Sequence, residues 1–332
     1  MIDRSSIGWA RAAASVAAFG VLAALVATPS LLGSRVRESL DAISGASSGW
    51  LWAAGVGFAS ALVCSALAWR AAAAASGGRL SRRDAAARYA TGSLVNSLAP
   101  AHLGDAVRVA LFARAIGGPD QVWTAGGVYA AMGAARCLVL AVLVVATSAC
   151  GMLPLWPVLL LVAVVAVLGT VAFVERNDHK HRFARLFRVL AAIESSPRAA
   201  APVLGWTTAS ALARLGATAA VATALGVPHP LLAALVIVPA LGIANVFPIT
   251  PGNLGIASGA VAVALATRGI GTTQALSTGI ALSAVETFVG LAVGATGTLY
   301  LGRSAGSALR LVAVGASIMV AGLLGVTVLD IV

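Results

Sequence analysis

From Trp50 to Ala75 the chain carries one charged residue, Arg70, and apolar runs of similar length recur at Val122–Cys150, Pro154–Val174, Pro202–Gly226, Gln274–Leu301 and Leu311–Leu329. A helix needs about 20 such residues to cross the hydrocarbon layer of a bilayer. Hydrophobic residues make up 60% of the 332, charged residues 10%, and mean hydropathy is +0.97. Soluble domains carry about 25% charged residues. The expectation is an all-α polytopic membrane protein; soluble, fibrous and disulfide-stapled folds are excluded.

The net charge of +11 does not point to nucleic acid. Lys180 is the one lysine, and the arginines cluster between apolar runs, as the positive-inside rule requires; anionic lipid headgroups are the expected partner. Arg4 and Arg11 precede an apolar run ending at Ala27, which we read as a retained first helix. Charges cancel across Arg35–Asp41, whereas Arg79, Arg82, Arg83 and Arg88 face only Asp84. That contrast places the N-terminus and the Arg79–Arg88 loop in the cytoplasm of a multi-pass protein of the cell membrane. Between Glu175 and Arg198, Phe183, Leu186, Phe187, Leu190 and Ile193 recur at helical spacing among basic residues, which describes either a surface-lying amphipathic helix or a solvated loop helix. His179 and His181 are expected to be solvated there, and Cys64, Cys137 and Cys150 are read as inert thiols, so no metal and no cofactor is expected.

Two apolar stretches are broken. One leads from Tyr89 through Asn96–Asp105 to a short piece ending at Arg114; the other leads from Leu231 through Phe247-Pro-Ile-Thr-Pro-Gly-Asn-Leu-Gly255 to a piece ending at Arg268. Neither half of either stretch is long enough to span, so each reads as a re-entrant helical hairpin. The order span, hairpin, span, span then occurs twice, from opposite sides. This gives about eight transmembrane elements in one domain: an extra N-terminal helix and outer loop at 1–49, a first repeat at 50–174, the cytoplasmic amphipathic segment at 175–200, and an inverted second repeat at 201–332. Paired broken helices in opposed repeats are the architecture of secondary transporters, with substrate bound near the midplane.

Pro100, Gly104, Pro251, Gly252 and Gly255 interrupt the two hairpins. Freed backbone amides and helix N-termini there suit an anionic head group. Asp105, Arg108, Arg136, Arg214 and Glu286 fall where lipid would otherwise lie, and a charge at a helix centre costs about 2.5–3.5 kcal/mol on insertion scales, so these should face inward and pair. Arg136 lies 36 residues after Pro100 (136 − 100) and Glu286 lies 35 after Pro251 (286 − 251), which predicts an Arg136–Glu286 ion pair across the repeat axis, either a gate or a structural bridge. Asp105 and Arg108, one helical turn apart, are placed to pair with each other. Arg108 or Arg136 would hold a lipid phosphate, Arg214 adding a third contact. Asn96 and Asn253 offer neutral donors at the breaks, and His102 offers an acid–base group.

The segments Asn96-x-Leu-x-Pro100-x-x-x-Gly104-Asp105-x-x-Arg108, the later Arg136, and Phe247-Pro-Ile-Thr-Pro-Gly-Asn-Leu-Gly255 resemble the lysylphosphatidylglycerol-synthase transmembrane family, a flippase-like membrane domain, over most of the chain. The resemblance implies re-entrant hairpins and a role in moving or handling lipids. Three positions depart from the family pattern: Asn253 and Ser258 stand where a glycine and an acid are usual, and Glu286 stands near a usual arginine. The soluble aminoacyl-transferring domain of larger members is not read in these residues.

The expected activity is therefore that of a flippase or transporter for an anionic phospholipid or polyprenyl-phosphate-linked lipid. Two alternatives are a membrane-embedded enzyme acting on a lipid phosphate through Asp105 and His102, and a non-transporting accessory partner of a lipid-modifying enzyme. No nucleophile constellation and no phosphate-loop motif supports an enzyme.

Overall fold

The computed structural model describes residues 44–98, 103–118, 120–149, 151, 196–244 and 254–302. These residues form eight α-helices and no strand: α1 (Ser48–Ala75), α2 (Arg82–Leu98), α3 (Leu103–Ile116), α4 (Gln121–Ala149), α5 (Pro197–Ala224), α6 (Pro230–Ala244), α7 (Leu254–Ala266) and α8 (Thr272–Gly302). The helix ending at Ala27, the runs Pro154–Val174 and Leu311–Leu329, and the amphipathic segment with its histidines lie outside the described residues.

Length separates the helices into two kinds. At about 1.5 Å per residue, α1, α4 and α8, with 28, 29 and 31 residues, exceed the ~30 Å of a hydrocarbon core, and all three are apolar enough to cross it. The 14 residues of α3 and the 13 of α7 reach only about 20 Å. Large apolar side chains such as Trp52, Val56, Val142 and Val263 stand exposed on the outer faces, as a lipid-facing surface requires. This is a helical membrane protein.

Two boundaries differ from the expected ones. The Arg79–Arg88 segment is not a loop, because α2 already begins at Arg82. Ser81 caps the helix there: the Asp84 amide donates to Ser81 Oγ at 3.1 Å, and the Ser81 hydroxyl donates to the Asp84 carboxylate at 2.8 Å. Likewise α5 starts at Pro197, ahead of Pro202, because proline at the first helical position forfeits no hydrogen bond.

The long helices α1 and α5 run antiparallel and form the broadest packing seam. The Ser47 amide meets the Ala224 carbonyl at one end, and Ser65 meets Ser210 further along, hydroxyl to hydroxyl at 2.8 Å. Gly57 permits the approach, since a Cβ there would lie 2.9 Å from that of Ala217. Both helices end alike. Gly77 (φ +86°) and Gly226 (φ +65°) turn the chain in the left-handed region, and the next amides, Gly78 and Val227, bond back to Ala73 and Ala222, each at 2.9 Å.

Two apolar cores flank this seam. One surrounds α2 and α3 with Trp69, Tyr89, Phe112, Val128 and Met132; the other surrounds α6 and α7 with Phe58, Ile237, Val261, Leu265 and Leu282. The principal contacts obey one exchange rule: swapping α1 with α5, α2 with α6, α3 with α7 and α4 with α8 maps each packed pair onto another packed pair. Thus α2 lies on α8 as α6 lies on α4, and α3 lies on α4 as α7 lies on α8. The glycines of α8 serve this packing inside the chain. Gly290, Gly294 and Gly297 face Ser97, Leu94, Ala90 and Ala87 of α2, which leaves no room for a side chain.

Candidate functional site

Between the two cores lies a cluster of polar side chains, reached from α2, α3, α4, α5 and α8. It begins at the hairpin of α2 and α3, which pack antiparallel with Gly92 against Gly104. Asp105 and Arg108 form the expected ion pair, and it is deeply buried, with side-chain exposures of 14% and 4%. Further partners surround it. Arg108 donates to Ser93 Oγ at 3.2 Å, the Asn96 amide donates to Asp105 at 3.3 Å, and the Tyr129 hydroxyl reaches the other carboxylate oxygen at 3.4 Å. The Arg108 guanidinium also lies 4.0 Å from the centre of the Tyr89 ring. This is a charge-compensated lock that pins the hairpin to α4.

Arg136 occupies a different electrostatic situation. It is the sixteenth residue of the 29 in α4 and therefore near its middle. Its guanidinium donates to the Tyr89 hydroxyl at 2.9 Å, and no carboxylate among the described residues lies within ion-pair distance of it.

The expected Arg136–Glu286 pair does not form. Glu286 is paired with Arg214 of α5. The reason lies in the topology: α4 and α8 share no substantial interface and flank the α1–α5 seam, so equivalent positions on them do not converge. Arg214, expected to be a third contact to substrate, holds this carboxylate and rests 5.9 Å from the Phe58 ring centre. This second pair is half open, with side-chain exposures of 35% and 39%.

Tyr89 joins Arg136 to the Arg108 lock. Its hydroxyl accepts from Arg136, and its ring lies 4.0 Å from the Arg108 guanidinium. Summed over the cluster, three arginines and two carboxylates leave one positive charge uncompensated, and the geometry assigns it to Arg136. Asn96, Asp105, Arg108 and Arg136 are therefore brought together, and Arg214 and Glu286 form the neighbouring pair. Gly104 and Gly255 are the second residues of α3 and α7. Pro100, His102, Pro251, Gly252 and Asn253 lie outside the described residues. Tyr89, Tyr129, Ser65 and Ser93 were not anticipated. Spacing held the signal: Tyr129 and Arg136 are seven residues apart on α4, and Tyr89, Ser93 and Asn96 follow a helical stripe on α2.

None of the curated proteins matches the chain. The family described as "Lysylphosphatidylglycerol synthase TM region" matches residues 9–294. The chain belongs to this family, a membrane domain associated with lipid-related functions.

Proposed function

We propose that the chain moves an anionic phospholipid or a polyprenyl-phosphate-linked lipid across the cell membrane, with its head group bound near the midplane between two re-entrant hairpins. The observation that carries this reading is Arg136: a guanidinium in the middle of a membrane-length helix, bonded to a phenol and with no carboxylate among the described residues to answer it. An unneutralised arginine at such depth costs several kcal/mol unless an anion meets it, and the planar fork suits phosphate. The exchange rule among the helices supports the inverted repeat, since antiparallel α1 and α5 are what a two-fold axis in the membrane plane would relate. The arginine-rich start of α2 supports a cytoplasmic location for that end and for the N-terminus.

The enzyme reading draws less support. Asp105 is held by Arg108, Asn96 and Tyr129, an arrangement that favours a fixed carboxylate over one that trades protons with substrate. We therefore read the chain as a carrier and not an enzyme.

The test is reconstitution. Protein in liposomes should exchange a fluorescent anionic phospholipid between leaflets faster than protein-free liposomes do. Arg136→Gln should slow this by about tenfold or more, the equivalent of losing one charge-assisted contact. Exchange unaffected by Arg136→Gln, or absent with every anionic lipid tried, would overturn the proposal.

A further inference from the structure

The face of α4 that carries Arg136 has an opening in it. Tyr129, Gly133, Arg136 and Leu140 follow one another at helical spacing and share about 60° of arc on the helix. Each end of this stripe is closed by one of the hairpins. At one end the Tyr129 hydroxyl reaches Asp105 of α3 at 3.4 Å. At the other, Leu140 lies against α6, where a Cβ on Gly242 would come within 2.9 Å of its Cδ1. The 11 residues between them (140 − 129) cover about 16 Å of helix. Within that interval a Cβ added at Gly133 would meet no atom within 4 Å.

The open position leads outward. Going round α4 from Arg136 through Gly133, the next residues are Cys137, Ala130, Ala134 and Leu138, and all of them are exposed, Leu138 at 54%. Tyr129 is itself 42% exposed although its hydroxyl touches the buried lock. Gly133 therefore stands between the Arg136 guanidinium and the surface that acyl chains cover. Resting on the lipid-carrier reading above, we propose that this stretch of α4 is a lateral groove: a phospholipid lays its phosphate on Arg136 from the side while its acyl chains stay in the bilayer, and the absent side chain of Gly133 sets the width of the passage.

The energetics favour such a route. A phospholipid changing leaflets is held back by its charged head group, which is costly in hydrocarbon, whereas its chains lose nothing by remaining there. A groove open along its side lets the head group travel against protein and leaves the chains where they were. Charge selects the occupant. Arg136 is the cation of this stripe, and no carboxylate among the described residues pairs with it, so its single positive charge matches the single negative charge of a phosphodiester.

The experiment follows leaflet exchange of fluorescent phosphatidylglycerol in liposomes holding the full chain, as the side chain at position 133 grows. Gly133→Ala should exchange lipid at close to the parent rate. Gly133→Leu and Gly133→Phe should slow exchange by about tenfold or more, the equivalent of one steric clash of ordinary size. Gly205→Leu, on α5, adds the same side chain where nothing lies within 4 Å and should leave the rate unchanged. Unfolding of Gly133→Leu should match that of Gly205→Leu; a clear loss of stability would show that protein fills the opening and would overturn the groove. Gly133→Leu exchanging at the parent rate would overturn it as well. So would Gly133→Ala slowing exchange as much as Gly133→Leu, because the glycine would then act through its backbone. These three results leave the carrier reading intact, since the parent still exchanges lipid in an Arg136-dependent way. Exchange of a polyprenyl-phosphate lipid in place of phosphatidylglycerol would overturn the choice of occupant, and a parent that exchanges neither would overturn the carrier reading itself.

Discussion

Replacing Gly294 with alanine tests the seam on which the first hairpin sits. A Cβ at Gly294 would lie 2.5 Å from Leu94 Cβ and 3.0 Å from the Ala90 carbonyl oxygen, whereas ordinary contact begins near 3.4 Å. The deficit against Leu94 is 0.9 Å (3.4 − 2.5), and Leu94 cannot relieve it by changing rotamer, because its Cβ is fixed to the backbone of α2. The helices must separate by nearly that much along the Ala87–Ser97 face. A radial gap of about 0.5–1 Å forfeits a quarter to a half of each dispersion contact, and overpacking of this size costs about 1–3 kcal/mol. Gly205→Ala is the matched control: it is also a helical glycine, with nothing within 4 Å of the added methyl group. Alanine there should be neutral or stabilising by up to about 1 kcal/mol, from helix propensity alone. Because the propensity gain is common to both, denaturation in mixed micelles, followed by tryptophan fluorescence, should separate the two variants by about 1–3 kcal/mol. If Gly294→Ala unfolds with its control, close packing of α2 on α8 does not hold this hairpin.

Two further outcomes follow from the lock and its glycine contact. Asp105→Asn leaves the Arg108 charge buried without a counter-ion and should cost about 3–5 kcal/mol in the same unfolding assay, whereas Asp105→Asn with Arg108→Gln should recover part of that loss. Gly104→Ala drives a methyl group into the Gly92 carbonyl and the Asn96 side chain, so it should destabilise the protein more than Gly259→Ala, which meets nothing; equal stabilities would refute the backbone contact between α2 and α3.

The long helices were legible because membrane insertion imposes a length and an apolar composition on any spanning segment: Trp50–Ala75 and Gln274–Leu301 fall within two residues of α1 and α8 at each end. Pairing of Asp105 with Arg108 was equally legible, since an i,i+3 spacing on one helix fixes proximity without tertiary knowledge. The partner of Glu286 was not. Choosing Arg136 required residues at matching positions of α4 and α8 to meet, but those helices share no substantial interface and each packs on α1 and α5, so the helix that passes Glu286 is α5. Tyr89 escaped for another reason. A lone tyrosine in an apolar run reads as core, and its role as the acceptor for Arg136 depends on which face of α2 meets α4, something local pattern does not encode. The early start of α2 was readable, by contrast, in Ser81-Arg-Arg-Asp84.

The seat of the first hairpin also constrains how the protein is made. Leu94 is fully buried, yet the residue that covers it, Gly294, is synthesised 200 residues later (294 − 94). At translation rates of about 5–20 residues per second, this leaves the hairpin waiting about 10–40 s for its cover. During that interval α2 and α3 have each other, α1 and α4, but not α8, so the nascent first half must be sheltered by the insertion machinery or by lipid until ribosomal synthesis of α8 is finished.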